Sequence, residues 1–226
     1  MKKSWLIVSF IAIVGLMMQF PNFTSADDTT TEQAKARVVH ASPNATAVDV
    51  YLDDEKILTG MQFKELSEYH PLDEKSYEVK IYEEGSKPKN SEPVLEANIT
   101  AMAGESYTLA VGGKVDELQL YEIKDDKEVN EEEAKLRVIH LSPDAPAIDV
   151  FSLDTPVVAN VAFSEASKYE NLAEGSYSLD IRPAGQEKEI FNIPNLQLEK
   201  GKNYSIIALG LLKGDPAFDV ILAKDK

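Results

Sequence analysis

The sequence predicts an all-β protein, two tandem β-sandwich domains behind an N-terminal export signal. Three observations carry that expectation. A 15-residue segment occurs twice, without a gap, at an offset of 100. Within each copy apolar residues recur at every second position, the pattern of half-buried strands. Neither copy holds a stripe of helical period as long as about 12 residues.

The chain opens with Lys2 and Lys3 followed by an apolar run from Trp5 to Phe20, whose core, Leu6 to Met18, is 13 residues long. That suits the apolar region of a signal peptide and falls short of the roughly 20 residues needed to span a bilayer. Pro21 and Asn22 break the run, and Thr24-Ser25-Ala26 offers a small-residue cleavage site before Asp27. Residues 1–26 are therefore expected to be a signal peptide, so that membrane contact is transient; an uncleaved anchor is the competing reading. Of 226 residues, 23 are Lys or Arg and 39 are Asp or Glu, a balance of −16. Cleavage would leave 21 against 39, or −18. So acidic a chain offers no positive face for nucleic acid. With no Cys it has no disulfide framework, thiolate metal site or cysteine nucleophile. No cofactor is expected.

The repeat defines the domains. Arg37-Val38-Val39-His40-Ala41-Ser42-Pro43-Asn44-Ala45-Thr46-Ala47-Val48-Asp49-Val50-Tyr51 aligns with Arg137-Val138-Ile139-His140-Leu141-Ser142-Pro143-Asp144-Ala145-Pro146-Ala147-Ile148-Asp149-Val150-Phe151. Nine of the 15 positions are identical. The match continues through Phe63/Phe163, Tyr69/Tyr169 and Tyr77/Tyr177, then at offset 97 through Gly104/Gly201 and Tyr107/Tyr204. A period near 100 is the size of a whole domain. The expected boundaries are a flexible tail over 27–35, sandwiches over 36–124 and 136–226, and an acidic, solvated linker over 125–135.

Within the repeats, Tyr77, Val79 and Ile81 alternate with polar neighbours, as do Tyr177, Leu179 and Ile181, and Val48, Val50 and Leu52 form another such face. Asp53-Asp54-Glu55 reads as a hairpin turn. Counting runs gives about seven short strands per repeat. Tyr77, Tyr107, Tyr177 and Tyr204 are assigned to buried rings whose hydroxyls find backbone partners.

The opening motif, together with Leu172-Ala173-Glu174-Gly175-Ser176-Tyr177, resembles the domain-of-unknown-function family 4397. The first copy departs at Lys75, where the pattern has Gly. The resemblance covers roughly residues 36–124 and 136–225. It implies exported bacterial proteins and an immunoglobulin-like or transthyretin-like sandwich, and it brings no activity or catalytic residues.

One constellation imitates chemistry. His40, Ser42 and Asp49, with His140, Ser142 and Asp149, contain the residue types of a nucleophilic triad, and His and Ser two apart on a strand share a face. Each Ser precedes a Pro, Pro43 or Pro143, and no nucleophile elbow or oxyanion-hole glycines accompany them. The reading adopted is structural: imidazole and carboxylate tie the first two strands together and Ser-Pro caps the turn. Arg37 and Arg137 read as salt-bridge residues, with Asp49 and Asp149 as candidate partners. Three histidines are too few for a typical zinc site. Calcium at Asp53-Asp54-Glu55 or Asp125-Asp126 stays open, with solvated turns preferred.

The expected function is a non-enzymatic, exported tandem β-sandwich acting as an interaction or structural module at the cell envelope, on a protein or polysaccharide partner. The alternative is carbohydrate or wall-polymer binding, with Tyr51, Tyr69, Tyr82, Tyr121 and Tyr169 standing in for the missing Trp. An exposed row of these tyrosines would favour it. A hydrolase using His40, Ser42 and Asp49 is the third reading.

Overall fold

The computed structural model describes residues 32–225. The expected signal peptide and the first part of the expected tail lie outside the described residues. The first repeat contains β1 (Ala34–His40), β2 (Val48–Leu52), β3 (Glu55–Met61), β4 (His70–Leu72), β5 (Lys75–Glu83), β6 (Leu95–Ala101), β7 (Ser106–Gly112) and β8 (Gln119–Asp125). The second contains β9 (Ala134–His140), β10 (Ile148–Ser152), β11 (Thr155–Val161), β12 (Glu170–Leu172), β13 (Gly175–Pro183), β14 (Phe191–Leu198), β15 (Asn203–Leu209) and β16 (Asp219–Lys224). Among the described residues there is no α-helix, only a single 3-10 turn at Val115–Glu117. Each repeat has eight strands rather than about seven. β4 and β12 are only three residues long, too short to display a period.

Each repeat is a two-sheet sandwich. In the first, an inner sheet of order β4-β1-β7-β8 faces an outer sheet of order β3-β2-β5-β6. The second repeats this as β12-β9-β15-β16 and β11-β10-β13-β14. All neighbours are antiparallel except β1 with β7 and β9 with β15, which run parallel and set Arg37 beside Thr108 and Arg137 beside Ser205. The period-2 faces meet as expected. Val48, Val50, Leu52, Tyr77, Val79 and Ile81 pack on Ala36, Val38, Leu109 and Val111. The second core is built from the equivalent positions. At the β2–β3 turn Asp53 adopts φ 53°, and its carboxylate accepts bonds from Lys75 Nζ and the Glu78 amide at 2.7 and 3.0 Å. A short polar residue tolerates that backbone.

The inner sheets are buried on both faces. Val39, Ala41, Ala110 and Ile123 of the first repeat form a third apolar cluster with Ile139, Leu141, Ile207, Leu209 and Ala223 of the second. The two inner sheets thus meet, and every residue of β15 is buried. Two boundaries shift in consequence. Ala34 and Lys35, assigned to the tail, belong to β1, because the small Ala34 fits the core and pairs with Leu72. Asp125, Ala134 and Lys135, assigned to the linker, lie in β8 and β9, and Asp125 is buried. The intervening 126–133 stretch is fastened to the second repeat. Asn203 Nδ2 donates to the carbonyls of Asp126 and Glu128 at 2.8 and 3.0 Å, and Lys135 Nζ donates to the Asp126 carboxylate at 2.7 Å. Those bonds supply partners that a composition-based reading assigns to water.

With Ile207 fully buried between the repeats, Ile207→Ala should cost about 2–5 kcal/mol. Calorimetry should show one transition for the whole body, shifted down as a unit. Two separated transitions, only the later-assigned one moved, would show that the inner faces do not couple the repeats.

Candidate functional site

The His, Ser and Asp of the repeated motif are buried, and they do not converge. His40 and His140 close β1 and β9, and each ring Nε2 donates across the loop that follows, to the carbonyl of Thr46 at 3.1 Å or Pro146 at 3.0 Å. The second nitrogen differs between copies: His140 Nδ1 accepts from the Ser142 amide at 3.3 Å, while His40 Nδ1 has no partner among the described residues. Ser142 Oγ donates to the Gly210 carbonyl at 2.7 Å, and Ser42 Oγ has no partner among the described residues. Neither serine hydroxyl bonds to an imidazole. Pro43 and Pro143 occupy the turns that follow.

The carboxylates face elsewhere. Asp49 accepts from the Gly60 amide at 2.9 Å, the Gly85 amide at 3.3 Å and Lys56 Nζ at 2.6 Å, so it ties β2 to β3 and to the end of β5 rather than to β1. Burial opposes its charge, but Lys56 and the two amides outweigh it and hold its pKa below the usual value. Asp149 accepts from the Asn160 and Gly185 amides at 2.7 and 3.0 Å. No histidine–carboxylate bond forms in either copy, so a base could not be oriented for nucleophile activation.

The arginines carry the main surprise. Their expected partners, Asp49 and Asp149, lie in other sheets, and the true partners are in the opposite repeat. Arg37 Nη2 pairs with Asp225, and Arg137 Nη2 pairs with Asp125, with all four side chains almost fully buried. The geometry is reciprocal. Arg37 Nε donates to Thr108 Oγ1 at 2.9 Å, and Arg137 Nε to Ser205 Oγ at 2.7 Å. Thr108 in turn donates to Asp125, and Ser205 to Asp225. Tyr69 donates its hydroxyl to Asp125 at 2.7 Å, and Tyr169 to Asp225 at 2.8 Å. The two phenol rings lie under the guanidinium groups, 4.7 Å from Arg37 and 4.6 Å from Arg137.

Burial and neighbouring charge act on the groups of this arrangement. Burial disfavours the Arg37 cation, but Asp225, Tyr69 and Asp125 more than compensate and hold its pKa above the ordinary value. Burial first, then neighbouring carboxylates, pushes the Tyr69 and Tyr169 phenols upward, so both remain donors. Each carboxylate oxygen and each guanidinium of the two pairs is bonded. Within the lock every charged group is spent on another, and it holds no nucleophile. Among the described residues, no group of three or more His, Asp or Glu is placed to hold a metal.

Several lock residues escaped the sequence reading. Tyr69 and Tyr169 had been counted as sugar-stacking candidates, and Asp125 as linker. The overlooked signal is the pair Lys124-Asp125 and Lys224-Asp225, which sits at the same offset of 100 as the opening motif. No exposed row of tyrosines exists. Tyr51 and Tyr82 are buried edge to face at 5.2 Å, and Tyr121 packs on Phe163 of the other repeat at 5.9 Å. Tyr77, Tyr107, Tyr177 and Tyr204 bond through their hydroxyls to backbone within five residues. The Tyr177 ring is only half-buried.

Comparison with known proteins places this architecture. The family model described as Domain of unknown function (DUF4397) matches residues 34–151 and again 134–226. The chain belongs to the DUF4397 family. Its two repeats are a tandem pair of DUF4397 domains. No curated protein matches the sequence. Among solved structures, a family CBM26 module of Eubacterium rectale Amy13K, in complex with maltoheptaose, aligns over 85% of this chain and 97% of its own, with 10% identity and a TM-score of 0.28. A candidate cell adhesion protein from Bacteroides eggerthii aligns over 85% of this chain and 95% of its own, with 9% identity and a TM-score of 0.24. Likenesses this distant carry no argument about the DUF4397 pair.

Two measurements follow from the geometry. Arg37→Leu and Asp225→Leu should each cost about 3–5 kcal/mol, because each leaves a buried charge unpaired. The double variant should lose far less than the sum, in urea unfolding. Lys64→Ala, which breaks the exposed pair with Asp219, should cost under about 1 kcal/mol. Additive losses for Arg37 and Asp225 would refute the lock. The second measurement concerns pH. Burial holds both motif imidazoles below the ordinary histidine pKa. Below about pH 6.5 the unfolded chain therefore takes up protons that the folded chain refuses. Stability should be full above that pH and fall progressively as the pH drops below it. Replacing both histidines with Gln should flatten that slope, and an unchanged slope would assign it to other groups.

Proposed function

We propose that this DUF4397 protein is exported and works at the cell envelope as a non-enzymatic interaction module that presents its two domains as one rigid body. The observation that carries this reading is the crossed lock. It fixes the mutual orientation of the domains and turns both outer sheets, with their exposed alternate residues in β3, β6, β11 and β14, away from the seam. A pair so held offers two surfaces at a constant spacing, which suits bivalent or scaffolding contact. The N-terminal segment 1–26 supports export, and the dispersed hydrogen bonds of His40, Ser42 and Asp49 support a non-catalytic role. The repeated Arg37, His40, Ser42, Pro43 and Asp49, with Arg137, His140, Ser142, Pro143 and Asp149, are read as architectural. A protein partner is favoured over a polysaccharide, because the rings that would stack on sugar are used inside the fold.

The test combines fractionation with a substrate screen. The protein should appear outside the cytoplasm with Asp27 as its N-terminus, and it should hydrolyse neither ester nor peptide substrates. Retention in the cytoplasm, or turnover abolished by Ser42→Ala, would overturn the proposal.

A further inference from the structure

The two repeats leave a cleft on either side of their seam, and an ion pair crosses only one of them. The turns that follow β3 and β11 correspond closely: Lys64 and Ser164 both adopt positive φ, and both amides donate to the preceding histidine's carbonyl, His40 or His140, at 2.8 Å. Lys64 then reaches across to Asp219, the first residue of β16, and staples that cleft. At the equivalent positions of the opposite cleft stand Ser164 and Gln119, the first residue of β8. They form no ion pair, and beside them lies a cleft of about 610 Å³ bounded by residues 122–128 of the first repeat and 164–169 of the second.

Three properties define what this cleft accepts. First, β8 is an edge: it pairs with β7 and with no other strand, and although Arg137 takes the Lys124 carbonyl and Asn203 that of Asp126, its Gln119–Glu122 part has no such side-chain partner on its backbone among the described residues. An edge strand leaves alternate backbone N–H and C=O groups available to an added strand. Second, the charge is uneven. Lys124 is engaged by Glu105, Lys127 by Glu32 and the Gly104 carbonyl, Asp125 by Arg137 and Asp126 by Lys135. Glu122 joins no ion pair among the described residues, and burial holds its carboxyl above the usual range. An incoming cation relieves that cost. Third, the apolar part of the wall is supplied by Ile123 and Ala166, while the one ring, Tyr169, is covered by Arg137. A sugar face therefore has nothing to stack on.

We infer that the open cleft receives an extended, basic peptide segment of a protein partner, which adds a strand to the free edge of β8 and sets a lysine or arginine against Glu122. The inference rests on the proposed role as an interaction module and names the site of that interaction. The closed cleft is its internal contrast, since the same fold there has spanned the opening with its own lysine.

The probe is a blocked six-residue peptide of alternating lysine and valine, titrated into the whole mature protein and followed by backbone amide NMR. A glutamate–valine peptide of the same length serves as control. Shifts should be confined to the 119–126 and 163–169 segments and weaken with added salt. Glu122→Gln should weaken binding about tenfold, the loss expected of one charge-assisted contact. The double variant Gln119→Asp with Ser164→Lys should abolish binding by installing the staple, and its unchanged thermal midpoint would show the fold intact. Absent or scattered shifts, equal binding of the glutamate peptide, indifference to both variants, or a soluble glucan moving the same amides would overturn the inference. Those failures leave localisation and the absence of turnover untouched, so they are separable from failure of the proposed function.

Discussion

Two buried carboxylates, Asp125 and Asp225, organise the molecule, because each is shared between the repeats. Each receives a hydroxyl from Thr108 or Ser205 and a phenol from Tyr69 or Tyr169 in its own repeat, and a guanidinium from the other. A buried ion pair commonly returns little net stability, since desolvation offsets its Coulomb attraction. Its contribution here is orientation. The apolar contacts among Val39, Ile139 and Ile207 are non-directional, whereas reciprocal arginine–carboxylate pairs are satisfied only at one rotation and one offset of the facing sheets. The repeated sequence is what makes the seam reciprocal.

The seam also explains why the triad residue types are buried and dispersed. β1 is covered on both sides, so His40 ends up with no exposed surface, and a polar ring in that position must find a local carbonyl. The residue types recur because every copy of the domain has the same burial problem to solve. The surface that the seam does not reach is that of the outer sheets.

How much could be read beforehand depended on the range of each interaction. Val79 and Ile81 face one core from a strand whose other face is wet, and their alternation is plain. Hairpins such as the one at Asp53 are equally local. Strands buried on both faces are a different case. Ser205-Ile206-Ile207-Ala208-Leu209 and Arg37-Val38-Val39-His40-Ala41 are nearly continuous runs, which is the pattern of strands covered on two sides. The runs therefore contained the evidence for a second apolar interface, although not its location. The partner of Arg37 was beyond reach, because spacing along a strand says nothing about a residue 188 positions away. Asp125 was misplaced for the opposite reason: acidic neighbours gave it the composition of a linker, while its burial depends on contacts in the other repeat.

The separation of Arg37 from Asp225 has a consequence for the order of assembly. A chain that emerges N-terminus first presents the whole first repeat before the acceptor for Arg37 exists. That repeat can complete its own core, and Thr108 and Asp125 can hold the guanidinium meanwhile, but its inner face stays uncovered until the second repeat arrives. During this interval the face is a match for its counterpart on any neighbouring molecule, since both copies carry the same arginine and aspartate. The connection over 126–133 decides the competition. Its short length keeps the cognate face at high effective concentration, and its bonds to Asn203 and Lys135 hold it in place. A connection this short favours closure within one chain over exchange between two.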